Sequence, residues 1–131
     1  MKSYQDLEIY KDSKTLAIQI HKMTLNLPRF EIVEEASQIR RSSKSVTAMI
    51  VEGYGRRRYK AEFIRYLVFA QSECDETIVH LDFLRETDSY KDEENYLDIK
   101  NGYITLSKKI NKFIQWVETN WNNFKPETGN Q

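Results

Sequence analysis

The stretch Gln38–Arg65, QIRRSSKSVTAMIVEGYGRRRYKAEFIR, decides how the rest of the chain is read. It runs from one helix, through a Gly-x-Gly turn, into the next. Before the turn, Ala36, Ile39, Ser43, Val46 and Ile50 recur at spacings of three and four, which is one face of a helix. These side chains are small or β-branched, so a neighbouring helix can come close. A second face, Gln38, Ser42, Ser45, Met49 and Glu52, is polar but short-chained. It is expected to be covered by another subunit, or else to be a plain serine-rich exposed face. Gly53 stands where a helix often ends in a left-handed residue.

Working outward, three more helices are expected. Prolines occur only at Pro28 and Pro126, and only four glycines interrupt 131 residues, which favours long helices. The first helix is predicted over about Asp6–Asn26, with Tyr10, Ala17, Ile20, Met23 and Leu27 on its stripe and Ser13 and Leu16 beside it. It stops before Pro28, because proline disfavours helical geometry in the residue before it. The second is predicted over about Ile32–Glu52. The third is predicted over about Lys60–Glu86, with a seam of Phe63, Leu67, Ala70, Cys74, Thr77, Leu81 and Leu84. The fourth begins near Asp92, with Ser89 or Asp88 as candidate cap. Its seam is Tyr96, Ile99, Tyr103, Leu106, Ile110, Phe113 and Val117, and Gly102 lies within it at a cost of roughly 1 kcal/mol relative to alanine. Seams of 3.5-residue period joined by short links predict an all-α fold, an antiparallel up-and-down four-helix bundle. One domain is expected over 1–124, followed by a polar tail over 125–131.

The net charge is zero, so nothing global favours a polyanion. The zero hides a split. Between Ala36 and Val68 stand eight basic residues (Arg40, Arg41, Lys44, Arg56, Arg57, Arg58, Lys60 and Arg65) against Glu52 and Glu62, a balance of +6. Between Phe69 and Lys100, ten acids face three bases, a balance of −7. Such halves can steer partners, or meet each other between subunits. The start, MKSYQDLEIYKD, has no apolar signal core, and no run approaches membrane-spanning length. A cytoplasmic protein without a membrane partner is expected. The single Cys74 excludes an internal disulfide and a cysteine metal cluster.

Chemistry-bearing patterns are sparse. Gly53-Tyr54-Gly55 is half a phosphate loop, without the remaining glycines or a preceding strand, and is read as a helix end and turn. Glu76 and His80, at i and i+4, could share a metal, but di-metal bundles need inward carboxylates from several helices and the core rows here are apolar. They are read as a surface pair, with no metal and no cofactor. Cys74 lies on a core seam while both histidines fall outside the seams, and it is read as a packed thiol. Glu52 is expected to pair with an arginine of its own or a neighbouring chain, or to stay free. No catalytic set emerges, so the protein is read as no enzyme. The basic group remains. Arginine holds phosphates bidentately, and Tyr54 and Tyr59 can stack on unpaired bases. The eight basic residues are therefore candidate nucleic-acid contacts. The alternative is a structural or adaptor oligomer that uses the charges for assembly or for a protein partner.

Ser37-Gln38-Ile39-Arg40-Arg41, Ser45-Val46-Thr47-Ala48, Ile50-Val51-Glu52-Gly53-Tyr54-Gly55-Arg56 and Glu62-Phe63-Ile64-Arg65-Tyr66-Leu67 together resemble the four-helix-bundle proteins encoded in intervening sequences of bacterial 23S ribosomal RNA genes, sometimes labelled ribosomal proteins. The resemblance extends from Tyr4-Gln5-Asp6-Leu7 to the end of the fourth helix. It departs at Met49, where the family usually has asparagine. The resemblance implies a four-helix bundle, often a homopentameric ring, similar to the basic accessory protein of diversity-generating retroelements, which binds nucleic acid and a reverse transcriptase. It implies RNA or DNA and a protein as possible partners, and it transfers no catalytic residue.

Overall fold

The computed structural model describes residues 3–124. The tail expected over 125–131 lies outside the described residues. Four helices account for most of the described chain: α1 (Glu8–Thr24), α2 (Glu35–Gly55), α3 (Lys60–Glu86) and α4 (Glu93–Asn120). Short 3-10 helices stand at Tyr4–Asp6, Arg29–Val33 and Trp121–Asn123. The described residues contain no strand. Each helix packs on two neighbours, α1 on α2, α2 on α3, α3 on α4 and α4 on α1, which closes a four-helix bundle. The α1–α2 and α3–α4 links share one end. The α2–α3 turn and the close of α4 share the other.

α3 has the predicted bounds, and all seven seam residues are buried. The core row of α2, from Ala36 to Ile50, is buried as well. Three local expectations are corrected. First, α2 starts at Glu35, because Pro28 opens a 3-10 turn in which the Glu31 amide donates to the Pro28 carbonyl at 2.9 Å. Second, the cap of α4 is Asp92, whose carboxylate accepts from the Asn95 amide at 3.0 Å. Ser89 instead donates to the buried Glu31 carboxylate at 2.5 Å, and Asp88 takes the left-handed φ of 62° that turns the chain out of α3. Third, Ile114 is buried on α4, while Phe113 and Tyr96 are half-buried. A straight helix of 3.6 residues per turn drifts by ~20° per heptad against a 3.5 period, so the strict heptad rule fails by one residue near the helix end.

Two glycines mark close helix approaches. Gly53 does not end α2, which runs on through Gly55. A Cβ at Gly53 would lie 3.0 Å from the Tyr66 Cβ and 3.2 Å from the Phe63 carbonyl oxygen, both fixed parts of α3. A Cβ at Gly102 would meet only the tip of Leu16, with Cδ2 at 2.7 Å. Alanine gains roughly 1 kcal/mol of helix propensity at either position. At Gly53, overpacking against backbone costs about 1–3 kcal/mol and outweighs that gain. At Gly102 the leucine can rotate. Gly53→Ala is therefore expected to lower the midpoint of urea unfolding, and Gly102→Ala to leave it within about 1 kcal/mol of wild type. Equal losses at both sites would contradict this packing.

Candidate nucleic-acid interface

The site is built on an aromatic base. Tyr54, the last buried residue of α2, meets the Phe63 ring edge-on at 6.4 Å. Phe63 in turn packs against Phe113 and Phe124, so α2, α3 and the end of α4 meet beneath the turn. Residues 56–59 reverse the chain within one tightly bonded loop. The Arg56 amide donates to the Glu52 and Gly53 carbonyls, and the Tyr59 amide donates to the Arg56 carbonyl at 2.9 Å. The Trp121 indole donates to the Arg57 carbonyl at 2.7 Å and ties α4 to the loop. Nothing in the sequence pattern pointed to Trp121, which lies 64 residues from its partner.

The eight basic residues do not form one patch. Arg56, Arg57, Arg58, Lys60 and Arg65 share the turn end. Arg41 precedes Arg56 by fifteen positions, roughly 23 Å along α2. Arg41 faces α3, where its guanidinium lies 2.5 Å from Glu76 and 3.6 Å from Glu73. Arg40 and Lys44 face the other way, toward α1. The Arg40 Nε donates to the Thr24 hydroxyl at 2.6 Å, and Lys44 stands 3.2 Å from the His21 Nδ1.

At the turn the five differ in what already holds them. Arg56 pairs with Glu52 at 3.2 Å and Glu62 at 3.5 Å, and its guanidinium covers the Tyr66 ring at 4.9 Å. The hydrogen bond to Glu52 and the nearby Tyr66 raise its already high pKa. Glu52 thus finds its arginine within its own chain. Arg65 pairs with Glu62 at 3.6 Å and covers Phe69. Arg57 lies 4.1 Å over the Tyr54 ring and donates to the Tyr54 carbonyl. Arg58 and Lys60 are exposed and have no acidic partner among the described residues. Between them Tyr59 is 62% exposed. An exposed Arg-Tyr-Lys triplet therefore stands on a rigid aromatic platform.

One residue of the short-chained face of α2 is placed differently from expectation. Ser42 is fully buried within the chain and accepts from the Thr77 hydroxyl of α3 at 2.8 Å. Helix geometry sets position 42 only 80–100° from the core row, and the small residues there let α3 close over it. Met49 and Ser45 are half-buried, and Met49 packs against the core. Gln38 and Glu52 are exposed.

Glu76 and His80 do not pair with each other. Glu76 holds Arg41, and the His80 Nδ1 lies 2.6 Å from Glu35. Partial burial, then the neighbouring Glu76, lifts the Glu73 carboxyl above its ordinary range. Burial also acts on Glu76, but the Arg41 contacts outweigh it and hold that carboxyl low. Cys74 is fully buried, and that burial, with Asp75 and Glu73 nearby, pushes its thiol up to about 12. Thiolate is the reactive form, so at pH 8 the folded protein is expected to react with a disulfide reagent orders of magnitude more slowly than the unfolded chain. Absorbance stopped-flow with and without denaturant reads this directly. Fast labelling of the folded protein would contradict the packed-thiol assignment.

A family profile described as 23S rRNA-intervening sequence protein matches residues 5–112. The crystal structure of a protein with unknown function from the S23 ribosomal protein family of Bacteroides thetaiotaomicron is similar to this chain. The two share 28% identity at a TM-score of 0.71, covering 81% of this chain and 97% of that one. Among curated proteins none matches.

Proposed function

The chain belongs to the 23S rRNA-intervening sequence protein family, and we propose that it is a non-enzymatic, cytoplasmic, self-associating bundle that binds RNA through the α2–α3 turn. The observation that carries this reading is the exposed Arg58-Tyr59-Lys60 triplet. Two cations without acidic partners flank an aromatic ring at the tip of a loop that Arg57, Tyr54 and Trp121 hold in place. Phosphates bind the cations, and an unpaired base stacks on the ring. Weak sequence preference and strong salt dependence follow. Arg56 and Arg65 add field but give part of their charge to Glu52 and Glu62. Arg40, Arg41 and Lys44 stand roughly 18–24 Å farther along α2 and face its neighbouring helices. No helix among the described residues is long and apolar enough to cross a membrane.

A structural or adaptor role for the basic residues has its own support. Arg41, Arg56 and Arg65 all serve ion pairs within the chain. The two readings separate at Arg58 and Lys60, which serve none. The double variant Arg58→Glu/Lys60→Glu is expected to weaken binding of a short structured RNA at least tenfold and to flatten the log–log salt slope by about 2, while thermal unfolding stays put. Fluorescence anisotropy across a salt series measures both. Absence of RNA and DNA binding by the wild-type protein at low salt would overturn the proposal. Binding unchanged by the double variant would move the contact away from the turn.

A further inference from the structure

Two apolar surfaces on different faces of the bundle stand open. The first is a groove of about 530 Å³ between α1 and α2. Ala17, Ile18 and Ala48 form its floor, Lys14, Lys22 and Lys44 stand on its rim, and no carboxylate lines it. The second is the outward side of α3. In 100° steps, Val68, Ser72, Val79 and Phe83 fall within about 60° of arc, turned away from the buried seam. All four are exposed, Phe83 by 53%. Asp75 and Glu86 flank this stripe and have no cationic partner among the described residues. A soluble helix normally turns long polar chains outward. α3 is apolar on both sides.

We propose that the outward stripe of α3 in one copy seats in the α1–α2 groove of the next. The inference rests on the self-association reading and specifies its surfaces. Three observations support this occupant. The lengths agree: the groove follows α1 from Tyr10 to Lys22, roughly 18 Å, and the stripe from Val68 to Phe83 spans roughly 22 Å. The chemistry agrees: an apolar ridge meets an apolar floor, and Asp75 and Glu86 meet a rim of lysines. The groove is also open along its side, as a helix requires, rather than closed around a small ligand. Groove and ridge are different faces, so the contact is head-to-tail. Such a contact gives each subunit one donor and one acceptor face, and it propagates until rotation closes a ring.

A mixing experiment tests this. Ala48→Glu puts a charge in the groove floor, and Val79→Glu puts one on the ridge. Both positions are exposed, so both variants keep the helical spectrum and melt. Light scattering is expected to find each variant monomeric alone. Mixed at equal concentration, they are expected to form a dimer and nothing larger, because each supplies the one face the other has lost. The milder pair Ile18→Ser and Phe83→Ser repeats the pattern if a buried charge perturbs folding. A wild-type oligomer that either glutamate variant leaves intact would overturn this interface while leaving self-association standing. Monomeric variants that do not complement each other would overturn the head-to-tail arrangement. A wild-type protein monomeric at every concentration would overturn both readings.

Discussion

The close approach of α2 and α3 is the constraint on which the rest of the molecule depends. At the turn end, Gly53 lies where any side chain would press on the Phe63 carbonyl and Tyr66. Midway along, Ser42 and Thr77 share a buried hydrogen bond, the kind of pairing that buried hydroxyls require. Toward the far end, Glu35 holds His80. Small residues set the separation, and the polar pairs fix the register. With the register fixed, the helices leave only residues 56–59 to reverse direction, and so the basic loop is short and rigid. A looser α2–α3 pair would part the Tyr54 and Phe63 rings that meet beneath the turn.

The same packing explains why a run of +6 does not make one basic surface. An α-helix turns successive residues by 100°, so Arg40 and Arg41 diverge to α1 and α3. Acids of α3 then neutralise part of the run: Arg41 is taken by Glu73 and Glu76, and Arg56 and α3's own Arg65 by Glu62. Of the cations left without an acidic partner, Arg40 and Lys44 face α1, and Arg57, Arg58 and Lys60 stand at the turn, where the chain leaves the helix. Surface pairs of this kind contribute little stability each, typically below ~1 kcal/mol. Their consequence is the removal of cations from the free surface.

Much of this was legible in the sequence, and the failures share a cause. The fold, the seam of α3 and its bounds follow from spacing alone, because apolar periodicity is local information. The family was legible too, in the segments around Ser37–Arg41 and Glu52–Arg56, and the family match bears that out. What spacing does not encode is which neighbour each face meets. Ser42 reads as a surface residue until α3 closes over it. Gly53 reads as a helix end until Phe63 stands against it. Glu76 and His80 read as a pair until each finds a partner on α2. Trp121 and Glu31 act across 64 and 58 residues, beyond any local pattern. The outward apolar stripe of α3 was present in the sequence, but a helix apolar on both sides shows its inner seam first.

The two proposed surfaces differ in their physics: apolar faces to join copies, and a basic turn to take up RNA. Light scattering on wild-type protein, with and without a short structured RNA, at low and moderate salt, tests that separation most directly. The expected result is an oligomer whose protein mass holds as salt rises while the bound RNA mass falls away. An assembly that ignores RNA at every salt, or one that dissociates into monomers as salt rises, would contradict it.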